Sequence, residues 1–157
     1  MDNIPITREG HARLKAELER LKNVDRKKVI EEIADARSQG DLSENAEYDA
    51  AKEKQGIIEA RISELDSKMS RFEVIDVSDL KGDKVIFGAT VSLENVDTNE
   101  RKLYTIVGPD EADITKGKVS VMSPLAKAIL SKKTGDNAVV PAPGGEIEYE
   151  IMEVKFA

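Results

Sequence analysis

The sequence has 157 residues, of which only 4% are aromatic and 35% are charged. So few large apolar side chains do not favour one large hydrophobic core, and we expect part of the chain to be elongated. Its formal net charge of −7 argues against broad binding to nucleic acid through phosphate neutralisation, and any RNA contact should be local. The absence of Cys excludes disulfides, thiolate zinc sites and Cys nucleophiles, while the single His, His11, leaves little for a His-based site and is expected at the surface.

The first ten residues, MDNIPITREG, are polar and lack the basic and apolar regions of a signal peptide. No apolar run approaches the roughly 20 residues that span a bilayer. We therefore expect a soluble, cytoplasmic protein without a membrane partner.

A first helix is predicted at the start of a Pro-free stretch that runs from about 8 to 75 and is rich in Ala, Glu, Lys, Arg and Leu. Thr7 is a suitable N-cap for it. Apolar residues recur at helical spacing, at Leu14, Leu18, Leu21, Val29, Ile33 and Ala36. This stripe is interrupted over 22–28, which predicts a kink or short break, and the helix is expected to stop at Gly40.

A second helix is predicted after Gly40 from the clearest periodicity in the chain. Its seam positions alternate spacings of three and four, at Tyr48, Ala51, Gln55, Ile58, Ile62, Leu65, Met69 and Phe72, as in a coiled coil. Because only a few residues separate the two stripes, antiparallel pairing within the chain is the simplest way to bury both. A helix from about 44 to 73 would be roughly 45 Å long.

From residue 76 onward the pattern changes to short alternating runs, which predict strands. The alternating apolar residues are Ala89, Val91 and Leu93; Tyr104 and Ile106; Val119 and Val121; and Ile147, Tyr149 and Ile151. One helix is predicted over 124–131, with Pro in its first turn. The predicted fold class is α+β: an antiparallel α-helical coiled-coil hairpin domain over 1–75, with its tip near 38–47, and a small domain of antiparallel sheet packed on one helix over 76–157.

Three acids, Asp41, Glu44 and Glu47, recur at every third residue where the second helix begins. On spacing alone the better interpretation is a capping box, in which Asp41 accepts from an early backbone N–H and Glu44 reaches back. The alternative is that Asp41 and Glu44 form half of a Mg²⁺ site at the end of a rigid rod. Mg²⁺ takes only one or two protein carboxylates and fills its remaining positions with waters and substrate phosphates.

The segment 40–48, GDLSENAEY, resembles the GDL-x-ENAEY signature at the coiled-coil tip of the GreA/GreB family of bacterial transcript cleavage factors. The resemblance extends over the first half of the chain, including 7–10 and 34–37. It continues into 121–130, VMSPLAKAIL, which is similar to the family's SPLG-x-ALLG segment. It therefore covers nearly the whole chain.

The resemblance implies a hairpin that enters the secondary channel of bacterial RNA polymerase and an FKBP-like domain that holds the rim of that channel. It implies that Asp41 and Glu44 are the catalytic acids and Mg²⁺ ligands, acting in trans on the nascent RNA 3′ end of a backtracked complex. The chain would have no cofactor of its own and would share Mg²⁺ with the polymerase. It would not be an enzyme alone, because two acids cannot assemble a phosphoryl-transfer site. A hairpin that pairs with itself also predicts a monomer.

The remaining candidate residues carry weaker signals. Arg37 and Lys52 are basic residues near the tip and are candidates for contact with RNA, while solvated charges paired with nearby acids are an equally good interpretation. Ser123, Pro124 and Leu125 are candidates for contact with polymerase, although a Ser-Pro helix start with an inward Leu is as readily structural.

Three other functions stay open at the level of sequence. The first is a family member that occupies the polymerase channel and inhibits without supporting cleavage, although such relatives carry a different acid pattern at the tip. The second is a prolyl isomerase, which is disfavoured because the aromatic residues after 75 form no cluster. The third is an adaptor whose seam pairs with another chain, which the short turn at Gly40 disfavours.

Overall fold

The computed structural model describes residues 3–38 and 45–156, with only the backbone described for Asp79. Within these ranges the chain forms two compact units. The helical unit consists of Ala12–Arg71, and the sheet unit consists of the residues up to His11 together with those from Phe72 onward. The predicted α+β class is confirmed, because one unit is helical and the other contains the strands.

The elements follow one another as two groups. The first half of the chain forms β1 (Ile4–Thr7), α1 (Arg8–Arg20), a π-helical turn (Leu21–Asp25), α2 (Arg26–Arg37), α3 (Ala46–Met69) and β2 (Phe72–Ile75). The second half forms a 3₁₀ turn (Val77–Asp79), β3 (Thr90–Asn95), β4 (Arg101–Val107), a 3₁₀ turn (Ile114–Lys116), β5 (Lys118–Ser120), α4 (Pro124–Ile129), β6 (Asn137–Ala142) and β7 (Gly145–Lys155).

The interruption predicted over 22–28 is a π-helical turn between α1 and α2, and the chain stays helical through it. The backbone N–H of Arg26 donates to the carbonyl oxygen of Leu21, five residues earlier, instead of four. The residues that flank the turn, Arg20 and Arg26, both have right-handed helical backbone angles. The apolar stripe is therefore shifted by one residue without a break in the helix.

The helical unit buries the two predicted stripes against each other. Its buried apolar residues are Leu14, Leu18, Leu21, Val29, Ala36, Ala51, Ile58, Ile62 and Leu65. All of them belong to those stripes, so the predicted self-pairing of the chain is confirmed. Helix α3 ends at Met69 rather than near 73, and its 24 residues are about 36 Å long.

The chain segments on either side of the hairpin pair as a two-stranded parallel sheet. Strand β1 runs beside β2, with Ile4 opposite Phe72 and Thr7 opposite Ile75. A parallel pair needs a long crossover connection, and here the connection contains the whole helical hairpin. The sequence prediction missed this pair and placed Phe72 in the helical seam. His11, expected at the surface, is half buried with its ring edge-on to Phe72, at a centroid distance of 6.1 Å.

The main sheet has five strands in the order β5-β4-β3-β7-β6. Its neighbours are antiparallel except for β4 and β5, which run parallel. Helix α4 packs with the sheet in a core of Val85, Ala89, Val91, Leu93, Ile106, Val119, Ala126, Ile129, Ala138, Val140, Tyr149 and Ile151. The predicted small sheet with one helix is therefore confirmed, with a parallel edge pair added.

Two local features of the sheet unit differ from the prediction. Strand β6, with the sequence NAVVPA, was not predicted, yet Ala138 and Val140 are buried and Val139 between them is exposed, as strand periodicity requires. Pro141 is tolerated there because β6 is an edge strand. Helix α4 stops at Ile129 rather than Ser131, whose φ of 69° is incompatible with a continuing α-helix.

Over the described ranges, no helix combines the length and the apolar character that crossing a bilayer requires.

Candidate functional site at the end of the helical hairpin

The two predicted catalytic acids, Asp41 and Glu44, lie outside the described residues, and their roles stay predictions. The structure describes the helix ends on both sides of 39–44. Helix α2 ends at a capping residue, Ser38, whose backbone N–H donates to the carbonyl of Ala34 at 3.2 Å and whose hydroxyl donates to the carbonyl of Asp35 at 2.6 Å. The α2 side of the tip therefore has its last carbonyls partly satisfied.

Asn45 joins the two helix ends at this tip. Its side-chain oxygen accepts from the backbone N–H of Tyr48 at 3.0 Å, which makes Asn45 the N-cap of α3. Its side-chain nitrogen donates to the carbonyl oxygen of Ala36, in the last turn of α2, at 2.6 Å. The N-cap of α3 is therefore Asn45, while the capping box predicted at Asp41 and Glu44 lies outside the described residues. One amide side chain ties together the two ends that flank 39–44.

The two basic residues predicted to meet RNA are both exposed near this end. Arg37 is the last residue of α2, and among the described residues its guanidinium has no ion-pair partner. Lys52 lies in α3, and its ammonium donates to the side-chain oxygen of Gln55 at 3.2 Å rather than to a carboxylate. Neither cation is neutralised by a described acid, and contact with RNA stays a prediction for both.

A shallow cavity of about 410 Å³ lies between α2 and α3 just behind this end. Its lining combines small residues with charges: Glu32, Asp35, Ala36, Glu47, Ala50, Ala51 and Lys54. The small side chains of Ala36, Ala50 and Ala51 allow the two helices to approach closely here. Lys54 partly neutralises the acids, since its ammonium lies 3.3 Å from a carboxylate oxygen of Glu32.

Behind the cavity, ion pairs cross the seam of the hairpin. Arg26 donates two hydrogen bonds to Glu59, at 2.8 and 2.9 Å, and Arg61 donates two to Glu17, at 2.7 and 3.1 Å. The hydrogen bonds from Arg61 lower the pKa of Glu17, and those from Arg26 lower the pKa of Glu59. Both carboxylates therefore favour the ionised form that accepts these hydrogen bonds across the seam.

The predicted polymerase-contact residues lie at the start of α4 in the sheet unit. The hydroxyl of Ser123 accepts from the backbone N–H of Ala126 at 3.2 Å, so Ser123 is the N-cap, and Pro124 is the first helical residue. Leu125 packs against the core, whereas Pro124 and its neighbour Met122 are exposed. Local structure thus accounts for Ser123 and Leu125, and only Pro124 of the three is exposed for a partner.

The described residues contain no group of three or more His, Asp or Glu side chains placed to hold a metal ion. The predicted Mg²⁺ ligands, Asp41 and Glu44, are not among these residues, and their metal-binding role stays a prediction. The end of the hairpin can present carboxylate and cationic side chains to another molecule.

Both halves of the chain match models of one protein family. The family model described as "Transcription elongation factor, N-terminal" matches residues 4–74, and the model described as "Transcription elongation factor, GreA/GreB, C-term" matches residues 80–156. The chain belongs to the GreA/GreB family of transcription elongation factors. The family predicted from the segment 40–48 is therefore confirmed.

Individual members of the GreA/GreB family are similar to this chain over nearly its whole length. Transcription elongation factor GreA of Hyphomonas neptunium is 58% identical, with 99% of each chain covered. Transcription elongation factor GreA of Nitratidesulfovibrio vulgaris (strain Miyazaki F) is 55% identical, with 99% of this chain and 97% of the relative covered.

Solved structures of related factors match less closely. GreA factor homolog 1 of Thermus thermophilus is 28% identical, with a TM-score of 0.45 over 98% of this chain and 99% of that one. A GreA/GreB factor from Nitrosomonas europaea is 22% identical, with a TM-score of 0.45 over 99% of this chain and 100% of that one.

Sequence reasoning missed two residues that this GreA/GreB family member uses structurally. Asn45 was included in the 40–48 signature but not recognised as a cap, and the signal was present, since Asn directly precedes the unbroken helical run of α3. Glu111, a buried acid in the sheet unit, was missed because one of its two partner residues, Thr7, lies 104 positions earlier in the chain.

Proposed function

We propose that the chain binds bacterial RNA polymerase and stimulates the polymerase's own cleavage of backtracked RNA by bringing Asp41 and Glu44 to its active centre. In this proposal the hairpin domain (1–75) is the element that enters the secondary channel, and the sheet domain (76–157), which is FKBP-like by resemblance, binds at the rim. The observation that carries the proposal is the GreA/GreB family match over both halves of a chain that has DLSEN at 41–45.

The described hairpin supports delivery of side chains to a distant site. Helix α3 is about 36 Å long, its seam is closed by buried residues such as Leu65, and Arg–Glu pairs cross that seam. Asn45 holds the helix ends next to the tip. A rod of this kind loses little conformational entropy when it enters a channel, because most of its ordering has already occurred on folding.

The donor set of the tip fits a shared Mg²⁺ rather than one that belongs to this chain. Asp41 and Glu44 would hold the ion together with ligands from the polymerase and the RNA. Bound there, Mg²⁺ supplies charge stabilisation at the phosphoryl group and lowers the pKa of bound water. The chain itself contributes two carboxylates and their placement, so it acts in trans and not as an enzyme alone.

Two further sets of residues complete the proposal. Arg37 and Lys52 are exposed and free of carboxylate partners among the described residues, which suits contact with the phosphates of an RNA 3′ segment. Ser123, Pro124 and Leu125 are proposed to contact polymerase, with the exposed Pro124 as the direct contact. We propose that the factor works in the cytoplasm as a monomer.

The decisive experiment uses a purified polymerase stalled on a backtracked scaffold with RNA labelled at its 3′ end. Addition of the protein with Mg²⁺ is expected to release short labelled 3′ fragments. Asp41→Asn or Glu44→Gln should slow this release by on the order of 10²-fold or more, as does loss of one group that stabilises a transition state. Polymerase binding, measured by competition with labelled wild-type protein, should be nearly unchanged.

Asp49→Asn is the matched control, because it removes one exposed carboxylate from the first turn of α3 without touching the DLSEN string. It should cleave like the wild type. If the wild type binds polymerase and releases no RNA, the channel-occupying inhibitor becomes the correct function. If both tip variants cleave normally while the wild type is active, the assignment of Asp41 and Glu44 is wrong.

A further inference from the structure

The main sheet of the sheet unit has two faces that differ in polarity. One face is buried in the core with α4 through residues of β3, β4 and β5, including Val91, Ile106 and Val119. The residues directly before these three are Thr90, Thr105 and Lys118. Because successive side chains of a strand alternate between the faces of a sheet, these polar residues belong to the other face.

Thr90, Thr105 and Lys118 form a row across three neighbouring strands. Thr105 is directly opposite Thr90 on β3 and directly opposite Lys118 on β5. Neighbouring strands lie about 4.8 Å apart, and the hydroxyl oxygens of the two threonines are 3.0 Å from each other. The row therefore places a pair of hydroxyl groups next to a lysine.

A cavity of about 390 Å³ is lined by this row. Its other walls include Val107 on β4, the residues from Thr7 to Glu9 where α1 begins, and residues 76–78 after β2. All of its lining residues belong to the sheet unit. Ligand sites commonly have volumes of roughly 300–1,000 Å³, so this cavity suits a small molecule or the end of a peptide.

Two acids of the cavity wall already have donors within the protein. Glu111, with 5% of its surface exposed, accepts from the backbone N–H groups of Thr7 at 2.7 Å and Gly108 at 2.9 Å, and from the Thr7 hydroxyl. Asp76 accepts from the guanidinium of Arg8 at 2.8 Å. These two carboxylates are thus stabilised by the protein itself and do not require a cation from outside.

The row, in contrast, contains donors without acceptors. The two threonine hydroxyls have two protons, and the bond between them uses one. Lys118 is half buried, and its ammonium has no hydrogen bond or ion pair with a described residue. The pKa of Asp113 is lowered mainly by the hydroxyl of Thr115, and Lys118 makes only a small further contribution. An ammonium and one hydroxyl proton are therefore available to an acceptor from outside.

We propose that the Lys118 site, defined as this cavity with Thr90, Thr105 and Lys118, binds the carboxylate group of a small acid or of a peptide end. One carboxylate oxygen accepts from the ammonium of Lys118, and the other accepts from the free hydroxyl proton of the threonine pair. Hydrogen bonds between charged groups are about twice as strong as neutral ones. The apolar part of the ligand lies against Val77 and Val107. This site is independent of RNA cleavage.

The charges around the cavity favour a singly charged ligand. Three acids, Glu9, Asp76 and Glu111, line the same cavity as the two cations Arg8 and Lys118. A phosphate with nearly two negative charges is repelled by these acids more strongly than a carboxylate with one. We therefore expect the site to bind a small carboxylate more tightly than inorganic phosphate.

The test is a titration of the full chain, without polymerase or RNA, followed by the NMR shifts of the backbone amides. The probes are butyrate and N-acetylated trialanine, each used as the carboxylate and as the neutral amide. At least one carboxylate should shift the amides of Thr90, Thr105 and Lys118, and the neutral forms should not. Binding of butyrate indicates a free acid as the ligand, and binding of the tripeptide alone indicates a peptide end. If neither carboxylate binds, or if the amides bind equally well, the proposal is wrong.

Substitutions in the row test which groups hold the ligand. Lys118→Met keeps the apolar stem and should weaken carboxylate binding by roughly 10-fold to 100-fold, as expected for loss of a hydrogen bond to a charged group. The double variant Thr90→Val with Thr105→Val keeps the shape of both side chains and should weaken binding by roughly 2-fold to 10-fold.

Lys102→Met is the matched control. It removes an exposed cation from β4 of the same sheet, at a position opposite Leu93 and therefore on the face that packs with α4. Its affinity should equal that of the wild type. If Lys118→Met does not fold, the double valine variant decides. Unchanged affinity in the deciding variant, an equal loss in Lys102→Met, or tighter binding of inorganic phosphate than of the carboxylates would overturn the proposal.

Discussion

The two units of this molecule reach stability by different means. In the sheet unit, a strand layer and α4 enclose residues such as Leu93, Ile129 and Ile151, which have no exposed surface. In the helical unit, a single seam of residues such as Ile58 and Ile62 is closed between helices, with solvent on its flanks. A long thin element has little interior, so its stability depends more on its ends and on charged pairs along its edges.

The polar residues of interest also differ between the two units. The acids proposed for cleavage, Asp41 and Glu44, come from the hairpin, which has few buried residues per unit length. Glu111 lies in the sheet unit, where its buried carboxylate accepts hydrogen bonds from three donors. A rigid, well-packed unit can hold a polar group in one geometry, because surrounding backbone cannot move to release it.

The greatest loss of stability is expected from substitutions of buried Ile residues. A matched pair of them compares the core of the sheet unit with the seam of the helical unit. Ile151→Ala removes a residue enclosed on all sides and should destabilise the sheet unit towards the upper end of roughly 2–5 kcal/mol. Ile62→Ala, with 3% of its surface exposed, should cost the helical unit an amount towards the lower end. Chemical unfolding of the full chain, followed by hydrogen exchange to assign each loss to a unit, measures both. Equal losses would remove the distinction between core and seam.

A smaller effect is expected at the hairpin end. Asn45→Ala removes both the N-cap of α3 and the bond to the carbonyl of Ala36, and should destabilise the helical unit by about 1–2 kcal/mol. Asn45→Asp keeps the capping oxygen and loses only the donor to Ala36, so it should cost less. Hydrogen exchange at the amide of Tyr48 reports the loss directly. An Asp variant as unstable as the Ala variant would show that the bridge to α2 matters more than the cap.

The smallest expected effect concerns the ion pairs along the seam. Because Arg61 lowers the pKa of Glu17 in the folded chain, the pair stabilises the hairpin above the ordinary Glu pKa of 4.5, and that contribution is lost as pH falls through the lowered value. Arg61→Met should therefore flatten the fall in hairpin stability below about pH 4.5, and added salt should weaken the wild-type pair. Arg13→Met, at an exposed position, is the control. An unchanged acid profile in Arg61→Met would contradict the role assigned to the pair.

Local patterns predicted the helical unit well. The spacing of Leu65 and the other seam residues indicated which face of each helix is buried, because an amphipathic helix places its apolar residues on one side. Thr7 was correctly predicted as the cap of α1, and the interruption near 22–28 was correctly placed. The capping box predicted at Asp41 and Glu44 lies outside the described residues, whereas Asn45, which was not predicted as a cap, is the N-cap of α3.

Sequence patterns were sufficient to predict the α+β class, the self-paired hairpin and, through the segment 40–48, the family. The parallel pairing of β1 with β2, the added edge strand β6 and the burial of Glu111 are seen only in the folded structure. The reason is the separation along the sequence between the residues that interact. The periodicity of a helix can be recognised from residues that are close in sequence. Thr7 and Glu111, in contrast, are 104 positions apart and come into contact only when the chain folds.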